Sequence, residues 1–430
     1  MKTRGFFVWL HRWVGLLMAV FLIVVGLTGS LLAFNMELER VFAPQLFAAE
    51  PSHPTRLSLA ELAERADALV PQGRVRYVQN TAPDQARIYF EPRVAPATGK
   101  PYELDFTEFF INPFTGEELG RRRSADLSQG LINLMPFIYD LHWRLALGGV
   151  GQLTLGVIAL AWTLDCFVAF YLTLPQTTAS FWRRWKPAWL VKRNAGFYRL
   201  NFDLHRAPGL WLWALLFVFA WSSVMMDMRR PVYEWVMGSL FDFTSRIDDY
   251  EALPKRAVLA PGLDWRAAEA VGQRLLSEQG SAKGFTVGQP LSLAYFKELN
   301  AYSYQERSSR DIVGELHTDG ANVTFDADTG ALLLLNLPSG QRLGNTIESW
   351  LYALHMGQVF GLPYRLFVCA LGFVITMLSI TGIYIWWRKR AARAGSGHSL
   401  AAERGSGDIP EVEASAGPSR REGGGTAYET

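Results

Sequence analysis

Apolar and polar positions along this chain alternate on two length scales. On the longer scale, four nearly unbroken apolar runs stand out: roughly Trp13–Phe34, Leu147–Leu174, Leu210–Met228 and Leu366–Trp387. Each approaches the ~20 helical residues that cross a hydrocarbon layer, so each is expected to be a membrane span. Asp165 interrupts the second run and Asp227 ends the third. Two long polar segments, about 35–140 and 229–345, separate them in pairs. On the shorter scale these segments follow one another's order. The first opens with "LSLAELAERADALV", apolar at helical spacing, and continues with strand-like "RVRYVQN" and "ARIYFEP" and then "TEFFINPFTGEELG". The second runs "WRAAEAVGQRLLSEQG", "PLSLAYFKEL", "AYSYQER" and "NVTFDADTGALLLL". "NPFTGE" and "DADTGA" both read as tight turns after a strand. One helix and a small antiparallel sheet are therefore expected twice.

The spans repeat as well. "WLHRWVGLL" at Trp9–Leu17 returns as "DLHRAPGLW" at Asp203–Trp211, and "YDLHWRLALGGVGQ" before the second span matches "LYALHMGQVFGLPY" before the fourth. The chain reads as a tandem duplication of span, α+β segment and span. The expected fold is membrane α-helical with α+β extramembrane domains, a four-helix transmembrane bundle carrying two small helix-plus-antiparallel-sheet domains. Its divisions are 1–34, 141–174, 207–228 and 346–390 for the helices, 35–140 and 229–345 for the domains, 175–206 for a basic loop, and 391–430 for a disordered tail rich in Gly, Ser and charge.

Charge gives an orientation. The segment "FWRRWKPAWLVKRNAGFYRLNFDLHR" holds seven Lys/Arg and one acidic residue, and the fourth span exits into "WWRKRAAR". Both are expected on the cytoplasmic side, with both termini, leaving the two long segments periplasmic in a bacterial inner membrane. The first run exceeds a signal-peptide core and lacks a close small-x-small site, so it reads as a retained anchor. A chain half apolar and only 19 % charged suits such a protein, with membrane lipid as its surroundings. Its net charge of +2 identifies no partner, and nothing in its distribution points to nucleic acid. Cys166 and Cys369 both sit in apolar runs; with no CxxC, CxxCH or Cys/His zinc spacing, c-type haem attachment, thioredoxin-like chemistry and structural zinc are excluded.

Four of the seven histidines stand beside spans: His11, His142, His205 and His355. The orientation sorts them into His11 with His205 at one membrane face and His142 with His355 at the other. A single His beside Arg at a membrane edge is ordinarily an interfacial polar residue. Four in matched positions, two per face, meet the requirement of bis-histidine b-type haem, whose iron takes an imidazole from each side. Gly15 and Gly209, four residues past their histidines, leave room on the same helix face for a flat macrocycle, as does Gly149, seven past His142. Arg12, Arg206 and Arg144 are candidates to pair with propionates. His53, His317 and His398 fall in the polar segments or the tail, where His317 reads as a surface residue.

These motifs carry a resemblance. Through "HRWVGLLMAVFLIVVGLTGSLLAF", "FFINPFTGEELG", "LHWRLALGGVGQLTLGVIAL", "LHRAPGLW" and "LHMGQVFG", the chain up to about Arg390 resembles the PepSY-associated transmembrane helix family. Some members look like inner-membrane ferric-siderophore reductases that hold two b-type haems on such histidines, and the external segments would then be PepSY-like domains. The resemblance implies His11 with His205 and His142 with His355 as haem-iron ligands in an oxidoreductase that reduces a ferric siderophore or other ferric chelate. No GxGxxG follows a strand, so the electron donor is expected to be a quinol or a cytoplasmic flavin or flavoprotein. The levels of the two pairs are expected roughly 20–30 Å apart from helix rise, with Trp221 and Phe217 as aromatics between them. The Arg121–Arg123 run is a candidate to attract an anionic chelate. Two other readings stay open: a non-enzymatic scaffold whose PepSY-like domains bind a peptidase, and a haem conduit to another periplasmic redox acceptor.

Overall fold

A computed structural model describes residues 3–49, 55–256, 260–312 and 320–405. The first half holds α1 (Thr3–Leu32), α2 (Asn35–Phe42), α3 (Leu59–Leu69), strands β1 (Gly73–Ala82), β2 (Gln85–Pro92), β3 (Glu108–Ile111) and β4 (Glu118–Arg122), then α4 (Leu134–Arg144) and α5 (Gly148–Thr173). A short α6 (Phe181–Trp185) leads to the second half: α7 (Phe197–Trp211), α8 (Trp213–Asp227), α9 (Glu234–Leu240), α10 (Arg246–Glu251) and α11 (Trp265–Lys283). Then come β5 (Val287–Phe296), β6 (Ala301–Ser308), β7 (Ala321–Asp326), β8 (Leu332–Asn336), α12 (Leu343–His355) and α13 (Gly361–Gly405). The helix and small antiparallel sheet expected in each half are present, each sheet segment having four strands. The two sets are not separate, however. They form one antiparallel sheet in the order β4-β3-β2-β1-β5-β6-β7-β8, joined where Tyr77, Val78 and Gln79 face Ala294, Leu293 and Ser292. The first strand of each half needs a partner on its open edge, and each supplies the other's.

Helices α3 and α11 share one core with the sheet, in which Leu62, Ala63, Val78 and Ile88 of one half cluster with Leu276, Leu293, Tyr304 and Phe325 of the other. Ser58 and Glu61 cap α3 reciprocally. Its next two main-chain N–H groups, of Leu59 and Ala60, donate to the Glu269 carboxylate of α11 at 3.2 and 2.9 Å. The two turns recognised by repeat are built alike. Asn112 Oδ1 accepts from the N–H of Phe114 and Thr115, and Asp326 Oδ1 from Asp328 and Thr329. Each turn then closes through a glycine with positive φ, Gly116 at 73° and Gly330 at 72°.

Helices α1, α5 and α13 are long and apolar enough to cross a membrane. Their outward faces carry Leu17, Val20, Val150, Leu153, Leu366 and Phe373, whereas small and polar residues turn inward. Gly26 of α1 lies so close to α13 that a Cβ there would stand 2.7 Å from the Gly372 carbonyl, and Ser30 Oγ donates to the Cys369 carbonyl at 2.8 Å. That is how helices pack where lipid tails are as apolar as the side chains. The third apolar run departs from expectation. It is not one straight helix from Leu210 but a pair, α7 and α8, bent by 73°. Pro208 inside α7 removes a main-chain donor just ahead of the break at Leu212. The tail also departs, since α13 continues past Ala391 to Gly405, where Ala-rich stretches stand on either side of Gly395–Gly397. From Tyr384 on, the chain is a second unit, in which the rings of Tyr384 and Trp387 lie 6.3 Å apart.

Candidate functional site

The four span-flanking histidines come together two by two. The ring centroids of His11 and His205 are 6.0 Å apart and those of His142 and His355 are 6.3 Å apart. His11 sits within α1 and His205 within α7. The other two are on neither long span. His142 lies in the last turn of α4, which ends in left-handed backbone at Leu145 and Ala146, and His355 is the final residue of α12, before turns at Gly357, Phe360 and Gly361. These turns swing the chain from the short helices into α5 and α13, leaving both imidazoles at the end of the bundle nearest the sheet. They also remove the helical phase from His142 to Gly149, since Gly149 belongs to α5 and a side chain there would meet nothing within 4 Å. Gly15 likewise borders open space, and Gly209 is in ordinary contact distance of Leu378. The glycines that border the rings are two others. A Cβ on Gly29 would stand 3.0 Å from His142 and one on Gly382 3.3 Å from His205.

Every one of the four rings is held through Nδ1. His11 meets both oxygens of Asp165, in α5, at 2.9 and 3.0 Å. His205 meets the main-chain carbonyl of Leu378, in α13, at 2.9 Å. His142 meets Thr28 Oγ1 of α1 at 2.9 Å, and His355 meets Ser222 Oγ of α8 at 2.7 Å. These partners decide the tautomer. A carboxylate and a carbonyl can only accept. Thr28 gives its own hydroxyl proton to the Val24 carbonyl at 2.7 Å and Ser222 gives its proton to Phe219 at 3.0 Å, so each can only accept from histidine. With Nδ1 donating to these acceptors, each neutral ring has its Nε2 lone pair available for a ligand. Among the described residues, no group of three or more His, Cys, Asp or Glu is arranged to hold a metal.

The hydroxyls are functional positions that sequence reading missed. The 194-residue offset that carries His11 onto His205 also carries Thr28 onto Ser222. Likewise the 213-residue offset from His142 to His355 carries Asp165 onto Leu378. Of the three candidate arginines, Arg206 is engaged by Asp203 and the Pro187 carbonyl and Arg144 by Asp140, whereas Arg12 has no ion pair or hydrogen bond among the described residues. Arg122, from the run considered for attracting an anionic chelate, is only 3 % exposed and is bound by Glu39 and Glu108; Arg121 is paired with Glu118. Phe217 packs with Phe167 and Trp213, and Trp221 with Tyr233, whereas Phe219 lies 4.9 Å from His355. His53 and His317 lie outside the described residues.

Two imidazole pairs at matched positions thus concentrate chemistry in the bundle among the described residues. No curated protein matches this chain. A family model does, that of the PepSY-associated TM region, over residues 8–389, which takes in the whole sheet and all four histidines. With that span matched, the chain is a membrane protein that belongs to the PepSY-associated TM region family.

Proposed function

We propose that this chain is a b-haem oxidoreductase of a bacterial inner membrane, with one haem site at His11 and His205 and a second at His142 and His355. In this reading the sheet is periplasmic, the termini are cytoplasmic, and electrons reach a ferric siderophore or related ferric chelate on the sheet side. The observation that carries it is the pair of imidazoles at each level, with centroids 6.0 and 6.3 Å apart and every Nδ1 within hydrogen-bond distance of a partner. A metal–imidazole bond of about 2 Å, and about 1.1 Å more from nitrogen to ring centre, puts two imidazoles on one metal with centroids about 6 Å apart. Two imidazoles are too few for a bare ion, which takes four or more ligands, but suit iron whose other four nitrogens come from a macrocycle. When bound, haem supplies reversible one-electron storage at a potential set by its axial ligands and their hydrogen bonds.

The chain's own residues do the rest. Asp165, Leu378, Thr28 and Ser222 hold the four rings through Nδ1, which lowers the cost of ordering the ligands on binding. Arg12 is free to pair with a propionate. His11 and Thr28 are seventeen residues apart on one helix, so the two levels are separated by about 25 Å along α1. On the sheet side the substrate iron gains one electron, Fe(III) becoming Fe(II), and hard oxygen donors hold the softer ion less tightly. The donor on the opposite face would be a quinol or a reduced flavin, each giving up one electron per iron reduced.

Reduced-minus-oxidised spectra and a pyridine haemochrome titration of the purified protein test this reading. About two b-haems per chain are expected. His11→Ala or His205→Ala should each remove one, and His142→Ala or His355→Ala the other. A colourless protein that takes up no added haem would sink the proposal and leave a scaffold built around the sheet.

A further inference from the structure

The two haem sites of this reading are built from duplicated positions, yet the groups that hold their imidazoles differ in kind. At the pair far from the sheet, the Nδ1 acceptors are a carboxylate, Asp165, and a helix carbonyl, Leu378. At the sheet-side pair, both acceptors are hydroxyls, Thr28 and Ser222, each with its own proton given to the preceding turn. Within the far pair the repeat is itself broken, because Asp165 occupies the position that Leu378 fills in the other half. Asp165 is a buried carboxylate on a membrane span, a costly placement that requires a partner, and His11 is that partner.

A stronger acceptor at Nδ1 leaves more electron density at Nε2, and a more basic ligand favours the ferric over the ferrous state of an iron it binds. A negative charge close by acts in the same direction. We infer that Asp165 is a positioning residue that makes the His11/His205 pair the lower-potential centre, and that the hydroxyl-held His142/His355 pair is the higher one. The chain then has a built-in polarity in which electrons reside preferentially at the sheet-side level. The exchange concerned takes one electron from one iron and gives it to the other; no bond or proton changes hands. This inference rests on the haem reading, and the experiment separates the two.

Potentiometric titration of the purified holoprotein, followed in the visible spectrum, should resolve two one-electron components differing at least tenfold in equilibrium, or 59 mV. The His142→Ala protein, which retains only the far site, should show the lower component alone. Asp165→Asn keeps the size and an acceptor oxygen but removes the charge. It should raise the lower component by a further tenfold equivalent and leave the higher in place, with a shift in the ferric low-spin resonance of that component. Asp165→Glu should restore it. If the His142→Ala protein holds the higher component, or if Asp165→Asn moves neither, the inference fails while the haem reading stands. A protein that binds no haem overturns both.

Discussion

At the scale of single residues, the histidines could be read from the sequence but their supports could not. Repeated spacing singled out His11, His142, His205 and His355, because an imidazole beside an apolar run is uncommon and a matched set of four is informative. Thr28 and Ser222 gave no such signal. A hydroxyl in an apolar helix ordinarily bonds back to its own preceding turn, as both do here, and its second role depends on a helix more than a hundred residues away. Arg122 illustrates the opposite error, since three consecutive arginines read as a candidate to attract an anionic chelate while the middle one is buried among carboxylates. That cluster predicts an acid response. Burial alone pushes the Glu108 carboxyl up, but Arg87 and Arg122 outweigh it and hold it below its ordinary value of 4.5. A depressed carboxyl contributes stability that is present above about pH 4.5 and is lost as pH falls through the lower folded value. Glu108→Gln should cost about 3 kcal/mol at neutral pH and should flatten the decline in melting temperature below pH 4.5. Thermal melts of both proteins across that window check this, and parallel curves would refute it.

At the scale of elements, strands, turns and amphipathic helices were legible because each signal is local. Alternation marked the strands, and the Asn112 and Asp326 turns followed from side chains that bond their own backbone two or three residues on. What escaped was where long apolar stretches break. Hydropathy alone does not distinguish one span from α7 and α8 bent at Leu212, nor α4 followed by α5 from a single longer helix, because the residues at these turns, Leu145 and Ala146 among them, are themselves apolar. The contact between α3 and α11 was equally hidden. Glu269 accepts from two otherwise orphaned N–H groups at the start of α3. Glu269→Ala should therefore destabilise the sheet domain by roughly 2–4 kcal/mol, since buried donors left unpaired forfeit their solvation. Hydrogen exchange at Leu59 and Ala60 should accelerate along with a lower melting temperature; unchanged exchange at those amides would show the cap to be dispensable.

At the scale of the whole molecule, the sequence shows a duplication but not what the copies do with each other. Pairing between β1 and β5 joins strands some two hundred residues apart, and no local pattern announces it. Its register makes a direct test. Gln79→Cys with Ser292→Cys places two thiols on directly opposed residues, within reach of a disulfide, whereas Gln79→Cys with Gln305→Cys separates them by a further strand. Mild oxidation should link the first pair within one chain and not the second, as read from cross-linked peptides by mass spectrometry. Two unlinked thiols in the first protein would mean that the halves carry separate sheets.

That seam has a consequence for ancestry. Two equivalent strands running antiparallel across a shared edge are what a twofold axis generates, so a single copy of this unit would complete its sheet by pairing with an identical neighbour. A symmetric pair of that kind must carry the same side chain on both sides of its axis, and any change on one side appears on the other. Fusing the copies into one chain lifts that constraint. An acidic residue can then stand in one half where its counterpart keeps leucine, and the two histidines of one pair become free to be held differently.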